Sequence, residues 1–129
     1  MKAKFLSIIA ACLASVTVMA GEYPDISVAD LKAAIESKKA VVIDVNGASA
    51  YKAGHIPGAI NFAEAKADLA KQLPAEKDAL IVAYCGGPKC SAYTAAAKAA
   101  KELGYTNVKH LSAGISGWKK AGEKTEAVN

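Results

Sequence analysis

The chain has 129 residues, the size of one domain, and is 53% hydrophobic and 22% charged. That is enough apolar material for a folded core and too much for an intrinsically disordered chain. Net charge is +4, yet every one of the 16 cations is Lys; the missing Arg fork, which reads phosphate or guanine bidentately, argues against a nucleic-acid partner. Three Cys, at 12, 85 and 90, are too few for a disulfide scaffold or a four-cysteine zinc site.

Lys2 and Lys4 precede an apolar run from Phe5 to Ala20 that ends in Val18-Met19-Ala20. A basic start, an apolar middle and small residues at −3 and −1 predict a secretory signal over residues 1–20, cleaved after Ala20. A membrane anchor needs about 20 apolar residues, and this run is shorter and interrupted by Ser7, Ser15 and Thr17. Ile9-Ala10-Ala11-Cys12 also has the look of a bacterial lipobox, at an unusually short distance from the start. The expectation is therefore a mature domain over 21–129, periplasmic or secreted, with no membrane partner after cleavage. Thiols in that compartment tend to be oxidised, so Cys85 and Cys90 need a reason to be there.

Ser27 is placed to cap a helix carrying Leu31, Ala34 and Ile35 and ending near Lys38-Lys39. Ala40–Val45 is a continuous β-branched run, as a strand buried on both faces requires. Residues 54–61 are rich in turn formers and lead into a short strand at 59–61. Residues 63–73 read as a helix stopped by Pro74, and Ala79–Tyr84 as a second apolar strand running into Cys85. Ser91–Leu103 is a strong helix former with Gly104 at C′. A strand at 107–111, a short helix at 115–120 closed by Gly122 and a loose tail over 123–129 complete the chain. Alternating strands and helices predict an α/β fold: a central, mostly parallel sheet of about five strands with helices on both faces. The site of such a sheet lies at the carboxyl ends of its strands.

There the chain has Tyr84-Cys85-Gly86-Gly87-Pro88-Lys89-Cys90-Ser91. Cys85 falls where a buried strand meets a helix N-terminus, whose unpaired N–H groups favour a thiolate. Gly86 and Gly87 let the loop curl its amides into an anion nest, and Lys89 adds a positive charge. A buried free Cys is also an ordinary core residue. Cys90 has three readings, as core, as a resolving thiol or as part of the anion cradle. His55 and His110 have no spacing that would gather them with the cysteines around a metal, so no metal is expected. His55 fits a backbone-bonding role in its loop, His110 fits a core or edge position, and Tyr84, Tyr93 and Tyr105 fit packing.

Five segments, Val41-Val42-Ile43-Asp44-Val45, Tyr51-Lys52-Ala53-Gly54-His55-Ile56-Pro57-Gly58-Ala59-Ile60-Asn61, Tyr84-Cys85, Leu111-Ser112-Ala113-Gly114 and Gly117-Trp118, together resemble the rhodanese-like domain family of single-domain sulfurtransferases over about residues 24–122. The resemblance implies a Cys85 nucleophile that takes sulfur from a small anionic donor such as thiosulfate. The resulting persulfide would pass it to cyanide, to a thiol or to a periplasmic protein. It implies no metal or organic cofactor, and nothing in the sequence demands more than a monomer. Gly86, Gly87, Pro88, Lys89, Cys90 and Ser91 would cradle the anion, with Asp44 and His55 as loop organisers. The loop from Cys85 to Cys90 has the length of the sulfur-transferring members, one residue short of the phosphatase relatives.

Two departures qualify this. Where many members carry Arg, five residues after the cysteine and after the Asp-Val pair, this chain has Cys90 and Asn46. Losing the bidentate clamp predicts weak use of thiosulfate. Cys90 instead permits attack on a Cys85 persulfide, releasing sulfide and leaving a disulfide. Two other readings stand beside sulfur transfer: a thiol-disulfide redox protein or sensor, and a non-catalytic domain that uses the fold to bind.

Overall fold

A computed structural model of the protein describes residues 23–87 and 90–128. The predicted signal segment 1–20 lies outside them, as do Pro88 and Lys89. Side chains alternate across a strand, so a run that is apolar at every position can be covered on both faces. The two such runs here, residues 40–43 of β1 (Ala40–Asp44) and the whole of β3 (Leu80–Tyr84), take the interior of the sheet. β2 (Ile60–Asn61) and β4 (Asn107–His110) flank them in the order β2-β1-β3-β4, all parallel. Register pairs Asp44 with both Asn61 and Tyr84, so the carboxyl ends of three strands finish level.

The sheet has four strands among the described residues, not about five. What a fifth would supply is a single bridge between Asp25 and His110 beside β4, with Ile26 N–H donating to His110 O at 2.9 Å and His110 N–H to Pro24 O at 2.8 Å. Pro24 has no N–H to give, which limits how far this edge can pair.

Two helical layers cover the sheet. On one face Leu31 of α1 (Val28–Glu36) and Trp118 of α6 (Gly114–Lys120) pack with Val42, Val82 and Tyr84. On the other, α3 (Phe62–Ala65), α4 (Leu69–Gln72) and α5 (Tyr93–Glu102) bring Ala65, Leu69, Ala96, Ala97 and Ala100 against Ile43, Ile81, Ala83 and Val108. Ala at 96, 97 and 100, all fully buried, lets α5 lie close on the strands. Ser27 caps α1 as its side chain suggests, Oγ accepting from Asp30 N–H at 3.0 Å. Gly104 ends α5 with φ +101°; its N–H donates to Lys101 O and that of Tyr105 to Ala100 O, the two bonds of a Schellman cap.

Four local expectations change. The helix expected over 63–73 is two α-helical turns joined by a 3₁₀ turn, Lys66–Asp68, with the apolar i, i+4 series Ala65, Leu69 and Leu73 buried throughout. The helix expected from Ser91 starts at Tyr93, and ahead of it Cys90 N–H donates to Gly87 O. A helix the sequence did not suggest, α2 (Ala48–Ala53), buries no residue fully and so has no apolar stripe to reveal it. The tail expected to be loose is docked. His55 and Glu126 exchange both backbone bonds, at 2.9 and 2.8 Å, Val128 N–H reaches Lys52 O at 2.9 Å, and the indole of Trp118 donates to Lys124 O at 2.7 Å. Main-chain pairing of this sort ignores the polar side chains that made residues 123–126 look like solvent-exposed coil.

Ending the chain at Gly122 leaves the buried Trp118 N–H without its acceptor and removes the His55 bridge. Unmade buried hydrogen bonds cost about 1–3 kcal/mol, so the truncated protein should unfold at lower urea with an almost unchanged slope. An unchanged midpoint would mean that the tail contributes nothing.

Candidate active site

The alternation that buries Ile81 and Ala83 on the α5 face continues to Cys85, one residue past β3, which is 1% exposed. α5 then begins at Tyr93, and the backbone N–H of Tyr93 donates to Cys85 Sγ at 3.1 Å. That amide belongs to the first turn of the helix, where N–H groups have no intrahelical acceptor and the dipole favours negative charge. Cys90, half-buried against the same cluster, is joined to Cys85 as a disulfide with the Cα atoms 6.1 Å apart.

The loop is clamped from behind by α6. Ile115 N–H donates to Cys85 O and Ser116 N–H to Gly86 O, both at 3.0 Å. These bonds require α6 to start almost in contact with the loop, and Gly114 allows it. At φ +64°, a Cβ on Gly114 would stand 2.6 Å from Gly86 C and Gly87 N and 2.8 Å from Cys85 O.

Asp44, fully buried at the end of β1, takes the Tyr84 hydroxyl at 2.5 Å and Asn46 N–H at 2.7 Å. Burial holds its carboxyl above the ordinary value of 3.8, against the opposing effect of those hydrogen bonds. Burial and the Asp44 bond likewise push the Tyr84 phenol well above its ordinary range. The Tyr84 oxygen in turn accepts Ile56 N–H at 3.0 Å, and Asn61 Nδ2 donates to Asn46 O at 3.1 Å. His55 stacks on Tyr51 with ring centroids 3.7 Å apart and donates from Nδ1 to Tyr51 O at 2.8 Å; its Nε2 faces Glu126 Oε1 at 3.5 Å.

Of the residues singled out in the sequence, Cys85, Gly86, Gly87 and Cys90 meet in one loop, while Asp44 and His55 act on the backbone around it. Ser91 is exposed, and its carbonyl accepts both Thr94 N–H and the Thr94 hydroxyl. Pro88 and Lys89 lie outside the described residues. The predicted nest differs in detail: the Cys90 amide is spent on Gly87 O, and the amide that meets the sulfur is that of Tyr93, beyond the 86–91 span. His110 stacks on Tyr93 with centroids 3.4 Å apart. Among the described residues no three His, Cys, Asp or Glu side chains are grouped to hold a metal. A groove of about 430 Å³ lies between α1, α6 and the tail, lined by Lys32, Ile35, Trp118 and Lys124, with no residue of the cysteine loop in its lining.

A parallel α/β sheet whose strand-end cysteine loop is held by two helix N-termini is a defined class of site. The chain matches the model of the Rhodanese-like domain over residues 27–121, and it belongs to that family. An HTH-type transcriptional regulator of Mycobacterium tuberculosis is 36% identical over 111 residues, 85% of this chain and 48% of that protein, so the chain spans about half the length of that relative. A protein of Bacillus halodurans of known structure is 33% identical, with 81% of this chain and 77% of that one covered at a TM-score of 0.63. The thiosulfate sulfurtransferase of Pseudomonas aeruginosa, 23% identical, superposes with a TM-score of 0.65 over 83% of this chain and 21% of its own, a likeness of fold.

Two measurements test this geometry. Gly114→Ala places its methyl inside the loop backbone, so it should lower stability by at least about 1 kcal/mol; a stability equal to that of wild type would show that the clamp is dispensable. For Asp44, a raised folded value means that the native state takes up a proton before the unfolded chain does. Its contribution to stability therefore grows as pH falls through that value and is complete below the unfolded value of about 3.8. The Tm of wild type minus that of Asp44→Asn should rise as pH drops from about 7 to about 4; a flat difference would remove the argument.

Proposed function

We propose that this protein is a sulfurtransferase that carries sulfane sulfur on Cys85. In its reduced form the Cys85 thiolate attacks the outer sulfur of a small anionic donor such as thiosulfate. A new S–S bond forms at Cys85, the donor's own S–S bond breaks, and sulfite departs with the bonding pair. A thiol or cyanide then takes the terminal sulfur and returns the thiolate. The observation that carries the reading is the Tyr93 N–H directed at Cys85 Sγ from the start of α5. A fixed amide at a helix N-terminus stabilises the anionic sulfur without having to reorganise during the reaction. With Cys and Asn where many relatives have Arg, the donor is held by amides and Lys rather than by a guanidinium fork, which supports weak use of thiosulfate.

A second reading, dithiol–disulfide cycling, is favoured by one observation, the Cys85–Cys90 bond. The part of the proposal that concerns location rests on Lys2, Lys4 and the apolar run to Ala20: the mature chain starts at Gly21 and works in the periplasm or outside the cell, without a nucleic-acid partner.

One preparation tests both parts. The full chain is expressed in a bacterial host, recovered from the periplasmic fraction and weighed, and the expected mass lacks residues 1–20. After reduction and addition of thiosulfate, each chain should release one sulfite as sulfur passes to Cys85, and Cys85→Ser should release none and transfer no sulfur to cyanide. Full transfer by Cys85→Ser would sink the mechanism, and a retained N-terminus would sink the location.

A further inference from the structure

Resting on the transferase reading, we propose that Cys90 is a second catalytic residue. It resolves the Cys85 persulfide to release hydrosulfide, and it is the sulfur through which a dithiol partner resets the site.

The first half follows from reach. With β3 and α5 in their packed positions the two sulfurs are bonded at a Cα separation of 6.1 Å, an ordinary span for a disulfide. A persulfide on Cys85 therefore has the Cys90 thiol held beside its inner sulfur, where proximity replaces a bimolecular encounter. The Cys90 thiolate, its proton lost to solvent, attacks Cys85 Sγ. The bond from Sγ to the terminal sulfur breaks, HS⁻ leaves with the electron pair, and a Cys85–Cys90 disulfide remains. The sulfane sulfur is reduced to sulfide while two thiols are oxidised.

The second half follows from an asymmetry between the two sulfurs. Reopening the bond takes two electrons, which a dithiol supplies by thiolate attack on one sulfur followed by closure of its own disulfide. In the disulfide form Cys85 is 1% exposed and its carbonyl is tied to α6, so an incoming thiolate meets Cys90 first. Cys90 is half-buried. Attack at Cys90 also expels the better leaving group, because the departing Cys85 thiolate is received by the Tyr93 amide at 3.1 Å. Access and leaving-group stability favour the same sulfur. Over one cycle thiosulfate and the dithiol become sulfite, hydrosulfide and the partner's disulfide. The partner is thus a dithiol reductant, and cyanide alone cannot turn the site over once Cys90 has closed it.

The test has two arms. In the first, reduced wild type, Cys90→Ser and Cys90→Ala are freed of reductant under anaerobic conditions and given thiosulfate. Both variants should hold a stable gain of about 32 Da on Cys85, while wild type should end about 2 Da lighter than its dithiol form, with one sulfide released per chain. If the variants gain no sulfur, the transferase reading itself fails. If they do and wild type also stays at the persulfide mass, only the role of Cys90 fails. In the second arm, disulfide-form wild type receives glutathione and is quenched with N-ethylmaleimide. The glutathione adduct should sit on Cys90 and the maleimide on Cys85, with at least about a tenfold preference. Equal labelling, or an adduct on Cys85, overturns entry at Cys90.

Discussion

A carboxyl group with no access to water stands at the end of the central strand, and the rest of the site is arranged around meeting its needs. An isolated buried carboxyl is expensive unless its oxygens are hydrogen-bonded. Asp44 is served by the Tyr84 hydroxyl from the neighbouring strand and by Asn46 N–H from its own turn. Because β1 and β3 pair in parallel with Asp44 opposite Tyr84, that bond can form only when the two strands end level. Level ends place Cys85 one step beyond. The Tyr84 oxygen then reaches across to Ile56 N–H, which positions the His55 turn, and the His55 turn receives the tail. A single desolvated acid thus couples strand register, the location of the nucleophile and the docking of the last residues.

The cysteine loop is held unevenly, and that unevenness decides its chemistry. Its first two carbonyls are bonded to the start of α6, and the sulfur of Cys85 receives the first amide of α5. Both helix N-termini thus act on the Cys85 end. The Cys90 end has a local turn to Gly87 and partial packing. A rigid, amide-lined half suits the storage of negative charge, because donors that do not have to reorient cost nothing at the moment of reaction. On the proposed cycle, the half-buried Cys90 suits exchange with a partner. Gly114 makes the division possible, since any side chain there would push α6 off the loop.

What could be read from the sequence follows what side chains can report. The apolar runs at 40–44 and 80–84 announced interior parallel strands, Ser27 and Gly104 marked helix ends, and the family motifs led to Cys85. The features that were not legible belong to the main chain. The Tyr93 amide, the clamp from residues 115 and 116, and the tail pairing at 126 and 128 are all backbone donors, whose partners depend on the fold and not on residue type. Gly114 stood out as part of a motif, but its reason, a close approach of two backbones, exists only in three dimensions. α2 escaped for the opposite cause: six residues with no fully buried side chain leave no periodicity to detect.

On the proposed mechanism, Cys90 in place of the Arg that the family resemblance leads one to expect changes what kind of selectivity such a site can have. A guanidinium selects the donor by its oxygens, before any bond has broken, and so favours thiosulfate in the ground state. A thiol has no such grip and contributes only after sulfur has arrived, when it competes with the external acceptor for the persulfide. Selectivity therefore moves from the entry of sulfur to its exit. In that competition the internal thiol starts with the advantage of proximity, and an external acceptor gains only by reacting faster than Cys90 can close on Cys85. On this argument the acceptor concentration at which transfer equals closure rises with the rate at which Cys90 meets Cys85, and the α6 clamp, which fixes the Cys85 side of that encounter, tunes the ratio of transferred sulfur to released sulfide.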